Sequence, residues 1–210
     1  SAFFEHDNCL YLIDCGESTF KAMFSRNEIY DYDNIVVLLT HLHADHIGSL
    51  GSFLSFCKNV LDKKVLLAAE EDTIVNILDQ SGVHTDKYNF TTDFKECEAD
   101  GLSIYVKRES HATDMLCCGF IFECNGEKIY YSGDTSNVPS DILNAFLSGE
   151  IKTMYQECTF LDTDSTSHFS LKKLCEIIPY EERQRVYCMH LGDDIEDDIV
   201  KAGFRVPKIV

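Results

Sequence analysis

Four side chains that can bind metal ions lie within six residues, in an H-x-H-x-D-H motif at positions 41–46. The motif directly follows residues 35–40, an apolar run that predicts a strand buried on both faces. Side chains of an extended chain alternate, so His41 and His43 are expected to point to the same side. Asp45 and His46 are then expected to begin the next helix. Imidazole and carboxylate groups at this spacing favour a zinc site over a polar surface loop, with manganese or iron as alternative metals.

The sequence resembles the metallo-β-lactamase superfamily of metal-dependent hydrolases, and the resemblance runs through nearly the whole chain. The H-x-H-x-D-H motif carries most of it. Residues 12–16, Leu-Ile-Asp-Cys-Gly, look like the first motif of the family, in which an aspartate, here Asp14, supports the metal-binding loop. Three further residues look like the remaining ligands, each just past an apolar strand-like run: His111, Asp134 and His190.

The resemblance implies two metal ions that share one carboxylate. The first ion would be held by His41, His43, His111 and Asp134. The second ion would be held by Asp45, His46, Asp134 and His190, so that Asp134 bridges the pair. Two divalent ions about 3.5–4 Å apart lower the pKa of a bridging water and supply a hydroxide at neutral pH, which Asp45 would also orient.

His168 is the most informative residue outside this ligand set. It precedes a predicted helix and stands 22 positions before His190, which looks like the ribonuclease Z branch of the superfamily. In that branch a histidine contacts the scissile phosphate and protonates the leaving oxygen, a contribution of roughly 10²–10⁴-fold. The alternative is a histidine at a helix start with no catalytic role. Residues 132–135 and 156–160 also look more like this branch than like antibiotic-hydrolysing enzymes.

The charge of the chain argues against a long nucleic-acid substrate. Its 36 acidic and 18 basic residues give a net charge of −18, whereas binding of RNA or DNA needs a basic surface. Enzymes that process tRNA usually carry a long arm, in the bacterial form between the third and fourth motifs. Here only 23 positions separate His111 from Asp134, so tRNA is a poor candidate substrate.

These observations predict a dinuclear phosphodiesterase that acts on small phosphodiesters or cyclic nucleotides. The sequence resembles arm-less relatives of ribonuclease Z, which include phage enzymes that degrade cyclic mononucleotide signals. Two alternatives stay open: a glyoxalase- or lactonase-like acyl hydrolase with the same metal site, and a non-catalytic metal-binding or sensing domain. The oligomeric state also stays open, with a homodimer as one option.

The composition predicts a globular cytoplasmic protein. Hydrophobic residues make up 45% and charged residues 26% of the chain, and no apolar run approaches the roughly 20 residues of a membrane helix. The first residues do not look like a signal peptide. The ten cysteines include no C-x-x-C pair and lie mostly in apolar runs, so most are expected to be reduced core residues.

The order of elements predicts a single α+β domain over residues 1–210. Strands are predicted over 9–14, 35–40, 65–69, 102–107, 117–124, 128–132, 153–158, 185–189 and 205–209, and helices over 16–26, 47–61, 72–80, 140–147, 171–178 and 195–202. Asn125-Gly126 predicts a hairpin turn. The pattern fits an αββα four-layer sandwich, the fold that the resemblance implies. Family members usually have an earlier strand and a Gly-rich turn, which leaves two alternatives open: the given sequence begins after that strand, or the first strand of the sandwich is missing.

Overall fold

The computed structural model describes residues 1–25, 27–160, 167–191 and 194–208 of the chain. It divides into two compact units, residues 1–102 and residues 103–210, and each is described by itself. A single domain over residues 1–210 therefore stays a prediction. No helix within the described residues is both long and apolar enough to cross a membrane.

The first unit is a five-stranded sheet with four helices. Its elements are β1 (Ala2–His6), β2 (Cys9–Ile13), α1 (Thr19–Ser25), β3 (Asn34–Leu38), α2 (Ala44–Ile47), α3 (Leu50–Asn59), β4 (Val65–Ala68), α4 (Thr73–Gln80) and β5 (Tyr88–Thr91). The strand order follows the chain, with β1 antiparallel to β2 and the others parallel. All five residues of β2 are buried, which suits a continuous apolar run in a parallel sheet.

The core of the first unit joins this sheet to its helices. Alternate residues of the strands, such as Leu10 and Val37, pack against the apolar stripe of α3. That stripe is formed by Leu50, Phe53, Leu54 and Cys57, the helical spacing predicted from the sequence. Full burial of each large apolar side chain contributes roughly 1.5–3 kcal/mol.

The second sheet also has five strands: β6 (Leu102–Arg108), β7 (Cys118–Cys124), β8 (Glu127–Tyr131), β9 (Ile151–Glu157) and β10 (Val186–Met189). The α-helices that follow in this part of the chain are α5 (Ser140–Leu147), α6 (Leu171–Ile177) and α7 (Glu196–Lys201). The strand order is β10-β9-β8-β7-β6, with β8, β9 and β10 parallel. A hairpin joins the antiparallel strands β7 and β8. Its turn residues Asn125 and Gly126 both have positive φ, 52° and 81°, as a type I′ turn requires.

Three predictions about elements need correction. Ala2–His6 and Tyr88–Thr91 were not predicted as strands. They form β1 and β5, the two edge strands of the first sheet. The terminal strand predicted over 205–209 is wrong for its described residues. Only Arg205 forms a bridge, with Tyr187, because Pro207 cannot donate to a ladder; Ile209 lies outside the described residues.

The first helix and the cysteines complete the comparison. Helix α1 begins at Thr19 rather than at Gly16, and Arg26 lies outside the described residues. All ten cysteines are free thiols, and eight of them are buried, so the expectation of reduced core residues is confirmed.

Candidate metal centre

The H-x-H-x-D-H segment of the first unit links β3 to α2. Strand β3 ends at Leu38, so His41 and His43 lie on an extended connection rather than on the strand itself. Nε2 of His41 is nevertheless 2.9 Å from Nδ1 of His43. The prediction that these two imidazoles share one side is therefore confirmed.

Asp14 anchors this segment from the end of β2. It is fully buried, and its carboxylate accepts hydrogen bonds from the backbone N–H and the hydroxyl of Thr40, both at 2.8 Å. The same carboxylate lies 2.8 Å from Nδ1 of His46. A buried carboxylate is stable only when its oxygens are paired in this way. Asp14 therefore occupies the supporting position that the resemblance implied.

Helix α2 carries Asp45 and His46 and packs closely against the loop after β2. The backbone N–H of Cys15 donates to the carbonyl of His46 at 2.7 Å. A Cβ at Gly16 would lie 2.0 Å from the carbonyl oxygen of Asp45, so no larger residue fits there without a backbone shift. Gly48 is similar, with a Cβ position 2.6 Å from the carbonyl oxygen of Ala44.

The second unit places two predicted histidine ligands near the carboxylate of a third predicted ligand, Asp134. Oδ2 of Asp134 lies 3.7 Å from Nε2 of His111 and 3.5 Å from Nε2 of His190. Asp134 and His111 are buried, whereas His190 is about one-third exposed. His190 follows β10 with a φ of 56°, a left-handed conformation that few non-glycine residues adopt. Such strain is typical of functional positions.

Glu157, at the end of β9, lies in the stretch 156–160 but was given no role in the predicted site. Its carboxylate is almost fully buried and contacts Nδ1 of His168 through one oxygen. The other oxygen accepts from the backbone N–H of Thr135, next to Asp134. Two signals in the sequence pointed to it: residues 156–160 resemble the ribonuclease Z branch, and a glutamate at the end of a predicted strand must be paired if it is buried.

The position of His168 is fixed by the strand that carries Glu157. The N–H of Thr159 donates to the carbonyl of Phe169, and the N–H of Leu171 donates back to the carbonyl of Thr159, both at 2.9 Å. Helix α6 then begins after Ser170, whose hydroxyl oxygen accepts a hydrogen bond from the backbone N–H of Lys173. His168 therefore precedes a helix as predicted, and its ring is partly exposed.

Glu109 adds a second buried carboxyl group near Thr135. It accepts hydrogen bonds from the Tyr130 hydroxyl at 2.6 Å and the Thr135 hydroxyl at 3.0 Å. Burial raises the pKa of Glu109 to about 7 despite these bonds. Thr135 thus lies between two carboxyl groups and fixes the loop that carries Asp134.

The donor set fits divalent metal ions within each unit. Nδ1 of His41 contacts the Thr40 hydroxyl at 3.0 Å, and Nδ1 of His111 lies 2.6 Å from the carbonyl oxygen of Ser167. Nδ1 of His46 likewise contacts Asp14. In His41, His46 and His111, Nε2 is therefore the ring nitrogen available to bind a metal ion. This is the outer-shell arrangement of metal-ligating histidines. Ligand sharing between the two units stays a prediction.

Comparison with known proteins places the chain in a family. The family model described as the anti-Pycsar protein Apyc1 matches residues 1–206. The chain belongs to the Apyc1 family. Among curated Apyc1 proteins, that of Bacillus phage BSP38 is 28% identical over 91% of this chain and 81% of its own length. The Apyc1 protein of Paenibacillus harenae is 24% identical over 93% of this chain and 84% of its own.

Solved structures establish the fold of this Apyc1 family member. YhfI from Bacillus subtilis, a metallo-β-lactamase fold protein, has a TM-score of 0.76 and 19% identity over 98% of this chain and 87% of its own. A diphosphatase from the PhnP family has a TM-score of 0.72 and 17% identity, covering 98% and 79%. The short form of human tRNase Z has a TM-score of 0.65 and 17% identity, covering 90% and 84%. The predicted metallo-β-lactamase fold is therefore confirmed.

Proposed function

We propose that the chain is a two-metal phosphodiesterase that hydrolyses cyclic nucleotides. The observation that carries the proposal is the match of residues 1–206 to the Apyc1 family, whose members degrade cyclic nucleotides. The short Asn125-Gly126 hairpin between His111 and Asp134 and the net charge of −18 favour a small substrate over tRNA. The chain would thus belong to the arm-less, ribonuclease Z-like branch.

The proposed ligand set is the one predicted from the sequence: His41, His43, His111 and Asp134 for one ion, and Asp45, His46, Asp134 and His190 for the other. Zinc suits these imidazole and carboxylate donors, with manganese or iron as alternatives. Two bound ions supply a nucleophile at neutral pH and neutralise charge that develops on the phosphoryl oxygens. Asp14 keeps the ring of His46 in its binding orientation.

His168 is the proposed general acid. Because its Nδ1 faces Glu157, its Nε2 is the nitrogen that holds the proton for the leaving ribose oxygen. The buried carboxylate of Glu157 fixes the orientation of this ring, and the bonds of Thr159 to residues 169 and 171 fix the backbone. Asp45 would orient the attacking oxygen.

Phosphodiester hydrolysis would also give Glu157 and His168 a task that thioester hydrolysis does not need. Departure of a ribose oxygen from phosphorus is helped by protonation. A thiolate leaves readily without an acid, so a thioesterase would gain little from the pair. A phosphodiesterase would therefore use more of the described side chains than a thioesterase would.

The decisive experiment compares substrates on one metal-loaded preparation. Purine and pyrimidine cyclic nucleotides are expected to be hydrolysed with a kcat/KM far above that for thioesters, lactones or β-lactams. Elemental analysis of the same preparation should give two ions per chain, and Asp134→Ala should lower both. A higher kcat/KM for an acyl substrate would overturn the proposal, and metal binding without any hydrolysis would favour the sensing domain.

A further inference from the structure

Four metal-binding side chains of the second unit lie together, and only two of them belong to the proposed ligand set. One ligand atom each from His111, Asp134, Glu157 and His168 lies within 4.8 Å of the other three. Glu157 and His168 have no place in the predicted coordination of either ion. All four residues belong to the unit of residues 103–210, so the cluster needs no donor from the first unit.

The spacing of these atoms is close to that of a tetrahedral zinc site. Bonds of about 2.0–2.2 Å to zinc place neighbouring ligand atoms roughly 3.3–3.6 Å apart. Nε2 of His111 and Oδ2 of Asp134 are already 3.7 Å apart. Ligand atoms that are as much as 4.8 Å apart would have to approach one another by about 1 Å to bind the same zinc ion. Rotation of the partly exposed His168 ring can supply this movement.

The charges of the cluster also suit a divalent cation. Asp134 and Glu157 are 3% and 1% exposed, and their two carboxylates offset the charge of one such ion. The two imidazoles complete a four-donor set of the kind that zinc prefers. The strand ends that carry Asp134 and Glu157 are held in register by the parallel pairing of β8 with β9.

We propose that His111, Asp134, Glu157 and His168 form a metal site of their own, which binds one divalent ion without the histidines of the first unit. Its use of Glu157 and His168 distinguishes it from the dinuclear site. Because His111 and Asp134 also belong to the proposed dinuclear site, an ion held there competes with that site for both residues, and it occupies His168, so an enzyme loaded in this way is inactive. That consequence rests on the proposed function, whereas the binding itself does not.

The test uses the full chain with the four donors of the first unit replaced by alanine: His41, His43, Asp45 and His46. Titration with Zn²⁺ under native mass spectrometry, and with Co²⁺ by absorption, should show one ion per chain. Addition of His168→Ala or Glu157→Gln should weaken this binding by at least about tenfold. The matched control is His190→Ala, which removes an imidazole 3.5 Å from Asp134 but outside the cluster and should leave the binding unchanged.

Two results would overturn the site. One is a four-alanine variant that is folded by circular dichroism and binds no ion. The other is binding that is lost with His190→Ala and kept with His168→Ala, since the ion would then use the ligands of the dinuclear centre. Glu157→Gln provides the same comparison if His168→Ala fails to fold. A failure of the proposed function would appear as absent cyclic-nucleotide hydrolysis, which leaves these titrations unaffected.

Discussion

Nδ1 of His46 lies 2.8 Å from Oδ2 of Asp14, a carboxylate with no exposed surface. The same carboxylate holds the backbone and the hydroxyl of Thr40, the residue that precedes the metal-binding motif. One buried side chain thus determines both the path of the segment and the orientation of an imidazole. The effect of Asp14 on metal affinity can be measured separately from its effect on folding.

Asp14→Asn is expected to lower the affinity for metal by about 10–100-fold, the usual effect of losing an outer-shell carboxylate. Asparagine preserves the volume and tolerates the φ of 61° at this position, so the backbone is retained. Competition with a chromophoric chelator measures the affinity. Asp31→Asn, at an exposed position, serves as the control. Equal metal affinities of the two variants would show that the Asp14 carboxylate does not affect metal binding by His46.

His168→Ala is expected to keep the fold and two metal ions and to lower kcat on a cyclic nucleotide by about 10²–10⁴-fold. The loss should shrink for an ester of p-nitrophenol, because this leaving group needs little protonation. Steady-state kinetics on the two substrates measures the difference. Equal losses on both would mean that His168 positions the phosphate rather than supplying a proton. Unchanged activity would make it a structural residue before α6.

Glu157→Gln should lower kcat because it removes the charge that holds the His168 ring. If Glu157 acts through His168, the double variant should be hardly slower than His168→Ala alone. A double-mutant cycle of kcat values tests this coupling. Additive losses would instead show that Glu157 supports the loop of Thr135 and Asp134 independently of the histidine.

Gly16→Ala should destabilise the protein by about 2–4 kcal/mol, because the new methyl group would overlap the carbonyl of Asp45. It should also weaken metal binding, since relief of the overlap displaces α2. Chemical denaturation and metal titration give the two readouts. The control Gly51→Ala on α3 would meet side chains rather than backbone, the nearest being that of Val83 at 3.2 Å, and it gains helix propensity, so its effect should stay within about 1 kcal/mol.

Thiol reactivity should separate the cysteines into two classes at pH 8. Burial raises the pKa of Cys15, Cys57 and Cys97 to about 12, so at pH 8 these groups remain protonated and unreactive in the folded state. Ellman's reagent should therefore modify at most the half-buried Cys124 and Cys175 within minutes, and all ten thiols after denaturation. Rapid reaction of more than two would mean that the native state opens readily.

The arrangement of His41 and His43 could be predicted because its signal is local. The H-x-H-x-D-H spacing and the apolar run before it were enough to place His41 and His43 side by side, although the strand ends earlier than predicted. The helical stripe of α3 and the Asn125-Gly126 turn were equally local signals. Their predicted positions agree with the structure.

The features that were missed depend on contacts between distant residues. Glu157 is paired with His168, eleven positions along the chain, and with the backbone of Thr135 on the loop after the neighbouring strand β8. The strands β1 and β5 are edge strands of five and four residues, too short for a clear alternation. Their pairing depends on neighbours in the sheet rather than on their own sequence.

The hairpin turn between β7 and β8 bears on how the substrate range of this fold can change. Nothing lies within 4 Å of the Cβ position of Gly126, and the turn residues are exposed. Extra residues inserted there would meet no packed neighbour, and an insertion in a surface turn adds little loop-closure entropy. A recognition module could be grafted at this point onto the sheet that carries Asp134 and Glu157. A new substrate specificity can thus arise by insertion at this turn without a change in the positions of Asp134 and Glu157.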